Sequence, residues 1–290
     1  MGNQPSAVER HLDVVPPQAY FGVSAVFHYL GPSFAVLLFP AVGVLGVAWL
    51  RIATAAVIFA PATRPWRTIR QADPNTRLLL LGLGVCLAGM NTAFYLALDR
   101  LPMSLVAAIE FVGTIAVALY GVRTLRNLAA LILSVCGVFI LIDASWSDDI
   151  AGLFWAVLNG ALFVGYILLG HRISRSGAGD GVQRLGAAMA IALICVMPFG
   201  IAEAWRAFAS PTLILAGIGV GVCSSVIPYV CDQLAMARLP RASFALMLAL
   251  LPATATVVAA IVLAQVPGAL DLLGIALVMA GIAVHRPSPG

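Results

Sequence analysis

A small set of polar side chains, Arg51, Asn91, Glu110, Asn159 and Asp232, stands inside long apolar stretches of the sequence. A charged group in hydrocarbon costs from about 2.5 to about 17 kcal/mol, so residues of this kind face a cavity, a partner or a transport pathway. Arg51 and Glu110 each fall about eight residues from one end of an apolar stretch. At a helical rise of 1.5 Å per residue, both lie at a depth of about 12 Å, and Asn91 and Asn159 arrive close to it. One guanidinium, one carboxyl and two amides can hold a zwitterion, with Arg51 facing a carboxylate and Glu110 an ammonium. Glu110 can instead exchange a proton with substrate, because burial and a neighbouring guanidinium act on its ionisation in opposite senses. The third reading is an ion pair that only joins two helices.

Other residues supplement this set. Tyr95 and Tyr166 can add hydroxyls to the cavity. Pro228-Tyr229 lacks one backbone donor, which frees a carbonyl and bends a helix. Asp232 follows directly and stands close to Arg238 and Arg241, where a solvated or snorkelled position is as natural as a transport role. His28, followed by Gly31-Pro32, marks a place where the first helix can break, or else is a buried, satisfied histidine. Glu110, Asp232, Pro228, Tyr229 and His28 are thus the candidates for coupling and gating.

Catalysis finds no constellation. Ser224 and Ser225 have no accompanying His and acid, and the glycines at 217, 219 and 221 lie within an apolar helix, where they serve close packing rather than phosphate binding. Cys86, Cys136, Cys195, Cys223 and Cys231 lack metal-ligand spacing and read as small packing residues. No enzyme activity, metal or cofactor is expected.

These residues must be positioned by membrane helices. Of 290 residues, 62% are hydrophobic and only 10% charged, too little polar surface for a soluble domain of this size. Stretches of about 20 apolar residues, each enough to cross a hydrocarbon core of about 30 Å, recur from end to end. The spans expected are 19 to 39, 43 to 62, 77 to 98, 102 to 121, 124 to 142, 150 to 170, 182 to 202, 211 to 236, 241 to 264 and 268 to 284. Pro40 with Gly43, Pro102, Pro211, Pro240 and Pro267 with Gly268 mark junctions between them. The fold class is an all-α integral membrane protein of ten transmembrane helices.

All 16 residues counted as Lys or Arg are arginine. Arg64, Arg67, Arg70, Arg77, Arg123, Arg126, Arg172, Arg175, Arg184, Arg238, Arg241 and Arg286 fall on one side of the expected bilayer. Asp99, Asp143, Asp148, Asp149, Glu203 and Asp271 fall on the other with Arg100 and Arg206. Basic loops stay cytoplasmic, which predicts a multi-pass protein of the cytoplasmic membrane with both termini inside. The amino-terminal tail, with Glu9, Arg10 and Asp13, lacks the basic region of a signal peptide. The basic balance is therefore a topology signal, and no nucleic-acid partner is expected.

Arg100-Leu101-Pro102 recurs as Arg238-Leu239-Pro240, 138 positions later (238 − 100) in a similar helical setting. This suggests two five-helix units, 19–142 and 150–285, after a tail over 1–18. Five being odd, the second unit enters the membrane inverted, an architecture that places a site near the midplane between two exchangeable halves.

With these features in place the chain resembles the EamA-domain family of the drug/metabolite transporter superfamily, and within it the threonine/homoserine exporter group. The residues that carry the resemblance are Leu38-Phe39-Pro40 with Arg51, Gly89-Met90-Asn91 with Phe94-Tyr95-Leu96, and Glu110-Phe111 with Gly113 and Ala116-Val117-Ala118-Leu119. In the second half they are Tyr166-Ile167-Leu168 with Gly170 and Arg172, Pro228-Tyr229, and Arg238-Leu239-Pro240 with Phe244 and Pro252-Ala253. The resemblance implies export of a small amino acid or related metabolite by proton antiport, with drugs, nucleosides or other neutral metabolites as the alternative cargo. The implied partners are a small-molecule substrate, protons and membrane lipid, with the chain acting as a monomer or homodimer. Two departures stand out. Leu251 precedes Pro252 where the family often has a glutamate, and Thr114 stands where it often has a proline. The first leaves Glu110 as the only deep carboxylate.

Overall fold

The computed structural model describes residues 15–119, 124–144, 148–174, 178–248 and 250–284. Arg123, Arg175, Arg286, and Glu9, Arg10 and Asp13 of the tail, lie outside them, as do the side chains of residues 115–119 and of Arg241. Among the described residues every regular element is helical: α1 (Pro17–Val42), α2 (Val44–Thr63), α3 (Pro65–Gln71), α4 (Pro74–Leu98), α5 (Met103–Leu119), α6 (Leu125–Ala144), α7 (Ile150–Ser174) and α8 (Ala178–Ala204). A 3-10 turn, Trp205–Ala209, leads to α9 (Pro211–Gly221), which passes through a π turn, Val222–Val226, into α10 (Ile227–Met236). Then follow α11 (Arg241–Met247), α12 (Leu250–Val262) and α13 (Ala269–Val284). Eight of these helical stretches are long and apolar enough to cross a bilayer, and shorter apolar helices run over Met103–Val112 and Ala269–Gly281. The chain is a multi-pass membrane protein.

Each expected span overlaps one of these helices, with differences at the ends that have local causes. Pro40 does not end α1. It lies inside the last turn, and the chain reverses at Gly43, whose φ of 92° is open to glycine and strained for other residues. Helix α2 ends at Arg64, which takes the left-handed conformation at φ 44° without being a glycine. Such a residue costs about 1–3 kcal/mol. Helix α4 starts with Pro74 behind Asp73, whose carboxylate accepts the Thr76 N–H at 3.1 Å, a conventional N-cap.

The helices are held by close packing of small residues, as is common where lipid surrounds the bundle. Helix α6 lies along α13, where a Cβ on Gly137 would come within 2.6 Å of the Gly274 carbonyl. Helix α2 lies along α8, with Gly200 under Trp49 and Gly186 under Thr63. Helix α4 packs on α7 and α8, α1 on α10 and α12, and α5 on α7 and α12. On α9, Gly217 packs on Leu50 and Gly221 on Thr54 of α2, while Gly219 faces open space, so the glycine run has one packing face and one free member. Cys86 is buried and its thiol donates to the Leu162 carbonyl at 2.9 Å. Cys136 faces outward instead of packing as expected.

Contacts at the helix ends tie distant segments. Arg126 Nε donates to the Val284 carbonyl at 2.6 Å, and Arg238 Nη1 to the Val15 carbonyl at 2.9 Å. At the other end Arg100 pairs with Asp149 at 3.3 Å. There too the carboxylate of Glu203, at the end of α8, accepts the Gly46 N–H at 3.0 Å. It supplies the cap that α2 lacks among its own side chains.

Candidate functional site

Pro228 explains the position of Arg51. A proline at 228 cannot donate to the carbonyl four residues earlier, that of Ser224, and the chain around it widens into the π turn. Arg51 Nη2 donates to this freed carbonyl at 2.7 Å, and Nε donates to Ser225 Oγ at 2.8 Å. The guanidinium lies over the ring of Tyr95, 5.3 Å from its centroid, and 5.9 Å from that of Tyr229. Tyr229 donates its hydroxyl to Asn91 Oδ1 at 3.0 Å, and Asn91 Nδ2 donates to the Leu87 carbonyl at 2.6 Å. Arg51 is only 2% exposed, so both hydrogen bonds and ring faces replace water around a buried charge.

The expected pairing of Arg51 with Glu110 is not formed among the described residues. The Ser225 hydroxyl and the freed Ser224 carbonyl, held at the π turn, take Nε and Nη2 of the guanidinium. Glu110 instead accepts the Tyr29 hydroxyl at 3.3 Å and stands 4.0 Å from His28 Nε2. Asn159 lies against the Glu110 carboxyl, although its amide closes no hydrogen bond of good geometry. His28 does not mark a break. Helix α1 runs unbroken through Gly31 and Pro32, where Ser33 donates its hydroxyl to the Tyr29 carbonyl at 2.8 Å.

Asp232 is the larger correction. It is 3% exposed, with its oxygens accepting the Ser24 hydroxyl at 2.5 Å and the Tyr166 hydroxyl at 2.9 Å. Neither solvated nor snorkelled, it joins Glu110 as a second deep carboxylate, whatever stands before Pro252. Arg238, expected beside it, turns away over the Tyr20 ring at 5.0 Å.

Aromatic rings link these three polar groups. Tyr166 stands 5.5 Å from Tyr229, Phe163 stacks on Tyr166 at 5.8 Å, and His28 stands 5.9 Å from Phe163. Arg51, Asn91, Tyr95, Glu110, Asn159, Tyr166, Tyr229, Asp232 and His28 therefore share one buried core, drawn from α1, α2, α4, α5, α7 and α10. Sequence reasoning missed Ser24, Tyr29, Phe163 and the role of Ser224 and Ser225. Ser24 and His28 are one helical turn apart, a spacing that could have marked the polar face of α1. In the sequence Ser224 and Ser225 read only as candidate nucleophiles, because nothing local signals that they face an arginine on α2.

Several groups in this core are buried without a hydrogen-bond partner: Arg51 Nη1, the Tyr95 hydroxyl, Ser224 Oγ and both amide atoms of Asn159. Each unpaired buried group of this kind costs about 1–3 kcal/mol. Together with the two carboxylates they can bind a small polar molecule carrying both charges.

Comparison with known proteins agrees with this architecture. The EamA-like transporter family matches residues 150–285. The threonine/homoserine exporter RhtA of Escherichia coli (strain K12) is 34% identical over 253 residues, covering 86% of this chain and 84% of that protein. RhtA of Salmonella typhimurium (strain LT2) is 33% identical over the same shares. A solved crystal structure, described only as that of a protein, shares the fold at a TM-score of 0.68 and 16% identity, over 93% of this chain and 97% of the other. With a third of the aligned residues identical to these exporters across most of either chain, the protein belongs to the EamA-like transporter family, whose members are membrane carriers and not enzymes.

Proposed function

We propose that the protein exports a small amino acid of the threonine or homoserine kind, or a related metabolite, across the cytoplasmic membrane in exchange for protons. The observation that carries the reading is the buried core with its unpaired donors beside two carboxylates. A substrate carboxylate meets Arg51 Nη1 with Ser224 Oγ and the Tyr95 hydroxyl. Its ammonium lies toward Glu110, and the Asn159 amide reads a side-chain hydroxyl. Glu110 and Asp232 carry the exchangeable proton, with Tyr229, Pro228 and His28 shaping the path to them. The names of the RhtA exporters support the substrate class.

The two halves, 19–142 and 150–285, form inverted five-helix repeats that rock about this core. The helix pairings support that reading: α4 on α7 is matched by α10 on α1, α5 on α7 by α12 on α1, while α2 with α8, α5 with α12 and α6 with α13 pair equivalent spans. Asn91 and Tyr229, joined by a hydrogen bond, lie 138 positions apart, the spacing of the two Arg-Leu-Pro motifs. Because the core is buried, solvent reaches it only when the halves part on one side at a time. The arginine distribution supports cytoplasmic termini. The chain works as a monomer or homodimer.

A rim of aromatic residues, Phe94, Phe111, Phe163 and Tyr29, favours a second reading in which the cargo is a drug, nucleoside or other neutral metabolite. Uptake of labelled threonine and homoserine into inverted vesicles, with and without an imposed pH gradient, separates the two. Gradient-dependent accumulation that is lost in Glu110→Gln supports proton-coupled amino-acid export. Gradient-insensitive vesicles that take up neither amino acid would sink it.

A further inference from the structure

The arginine-rich end of the bundle contains a cleft of about 440 Å³ between the α2–α3 corner and α8. Arg64, Arg67, Thr68, Gln71 and Gln183 supply its polar lining, with no carboxylate among the lining residues. The neighbouring cleft, by contrast, sets Asp73 and Asp180 against Arg184. Arg77 spends its guanidinium on the Ile69 and Arg70 carbonyls, closing the end of α3 at 3.1 and 2.8 Å. The side chains of Arg64 and Arg67 make no hydrogen bond or ion pair among the described residues. Two free guanidiniums thus face one polar concavity.

Arg64 adds a second observation. The turn after α2 needs a left-handed residue, a position that suits glycine, and an arginine there accepts backbone strain in return for placing its side chain at the cleft. The surroundings identify the depth. Trp66, 56% exposed on α3, is an aromatic of the kind that settles at the headgroup level of a bilayer. Val57 and Ile58, exposed on α2, stand one turn before Pro61 and Ala62, which also line the cleft. An apolar strip therefore leads along the helix straight to the basic lining.

We propose that this cleft binds the phosphodiester headgroup of an anionic phospholipid, with Arg64 and Arg67 on the phosphate, Gln71 and Gln183 on its glycerol and ester oxygens, and an acyl chain along Val57 and Ile58. The lipid spans the seam between the two units, because Arg64 and Arg67 follow α2 while Gln183 belongs to α8, beside the point where Gly186 packs on Thr63. It therefore holds these helices together at this end of the bundle. The proposal does not depend on the substrate or on proton coupling.

The test is thermal unfolding of the purified full-length protein in neutral detergent, with phosphatidylglycerol or phosphatidylcholine added, for the native chain, Arg64→Gly, Arg67→Gln and Arg206→Gln. Phosphatidylglycerol is expected to raise the native Tm by about 2–4 °C over phosphatidylcholine, and the rise should fall away at high salt. Arg64→Gly relieves the strained turn, so it should start at an equal or higher Tm and yet lose most of the lipid effect. Arg67→Gln should lose it as well, and Arg206→Gln, at the other end of the bundle, should keep it. An equal rise with phosphatidylcholine, or a full rise in both Arg64→Gly and Arg67→Gln, overturns the site. A rise reproduced by millimolar glycerol 3-phosphate alone overturns the lipid assignment in favour of a soluble phosphate ester.

Discussion

In the proposed site Arg51 acts through geometry as much as charge. Its Nε and Nη2 are spent on Ser225 and on the Ser224 carbonyl, leaving Nη1 for a ligand. A lysine has no fork with which to hold both acceptors and still present a donor. Arg51→Lys is therefore expected to lower transport nearly as far as Arg51→Ala, by tenfold or more, a loss of about 1.4 kcal/mol in binding. Concentration-dependent uptake in vesicles checks it, and a lysine variant of native affinity would show that charge alone suffices. That Arg51 lies buried among helices was legible from an ionisable group in an apolar stretch. Its partners were not, because depth along separate helices does not say which faces meet, and Glu110 at matching depth is the natural guess. The same limit hid Asp232, whose distance from the helix end suggested water, while Ser24 and Tyr166 come from helices far away in sequence.

At the scale of elements, the π turn is what converts a missing amide into a seat for the Arg51 guanidinium. Pro228→Ala restores the donor, so α10 can continue regularly into α9 and the Ser224 carbonyl can be taken by the backbone. Expected are a more stable protein and weaker substrate affinity, seen together as a higher Tm and a raised KM; an unchanged KM would mean that Arg51 does not need this carbonyl. Proline at 228 was readable as a bend, but the turn type and its guanidinium partner depend on how α2 lies against α9 and α10. The start of α4 illustrates a cap that sequence alone can suggest. The Thr76 hydroxyl, then its N–H, hold the Asp73 carboxyl below the ordinary 3.8. A depressed carboxyl contributes stability above its unfolded pKa and loses it as pH falls through the folded value. Asp73→Asn should therefore lower Tm at pH 7 and narrow toward the native Tm near pH 3, which melting curves across that range will show.

At the scale of the whole molecule, the buried polar core lies where the two halves of the chain meet. The core draws on α1, α2, α4 and α5 from one half and α7 and α10 from the other, so neither half of the chain contains it alone. The eight long apolar helical stretches were legible because apolar runs and the prolines between them are local signals. The convergence on one core was only partly so, since it follows from the packing of α1 on α10 and α4 on α7, and no local pattern encodes those pairings.

The cap on α2 carries this interdependence into the making of the protein. Gly46 finds its carboxylate on Glu203, 157 residues further along the chain. A ribosome therefore delivers the second helix to the membrane well before the group that finishes its first turn, and that turn waits, open, until α8 has been inserted. Residues 1–148 expressed alone should be cleared by membrane proteases, should accumulate when residues 149–290 are supplied from a second gene, and should gain less from that rescue when the second piece carries Glu203→Ala. Pulse-chase turnover in cells would show it, and an equally long-lived first half on its own would mean that the early helices are complete without the late ones.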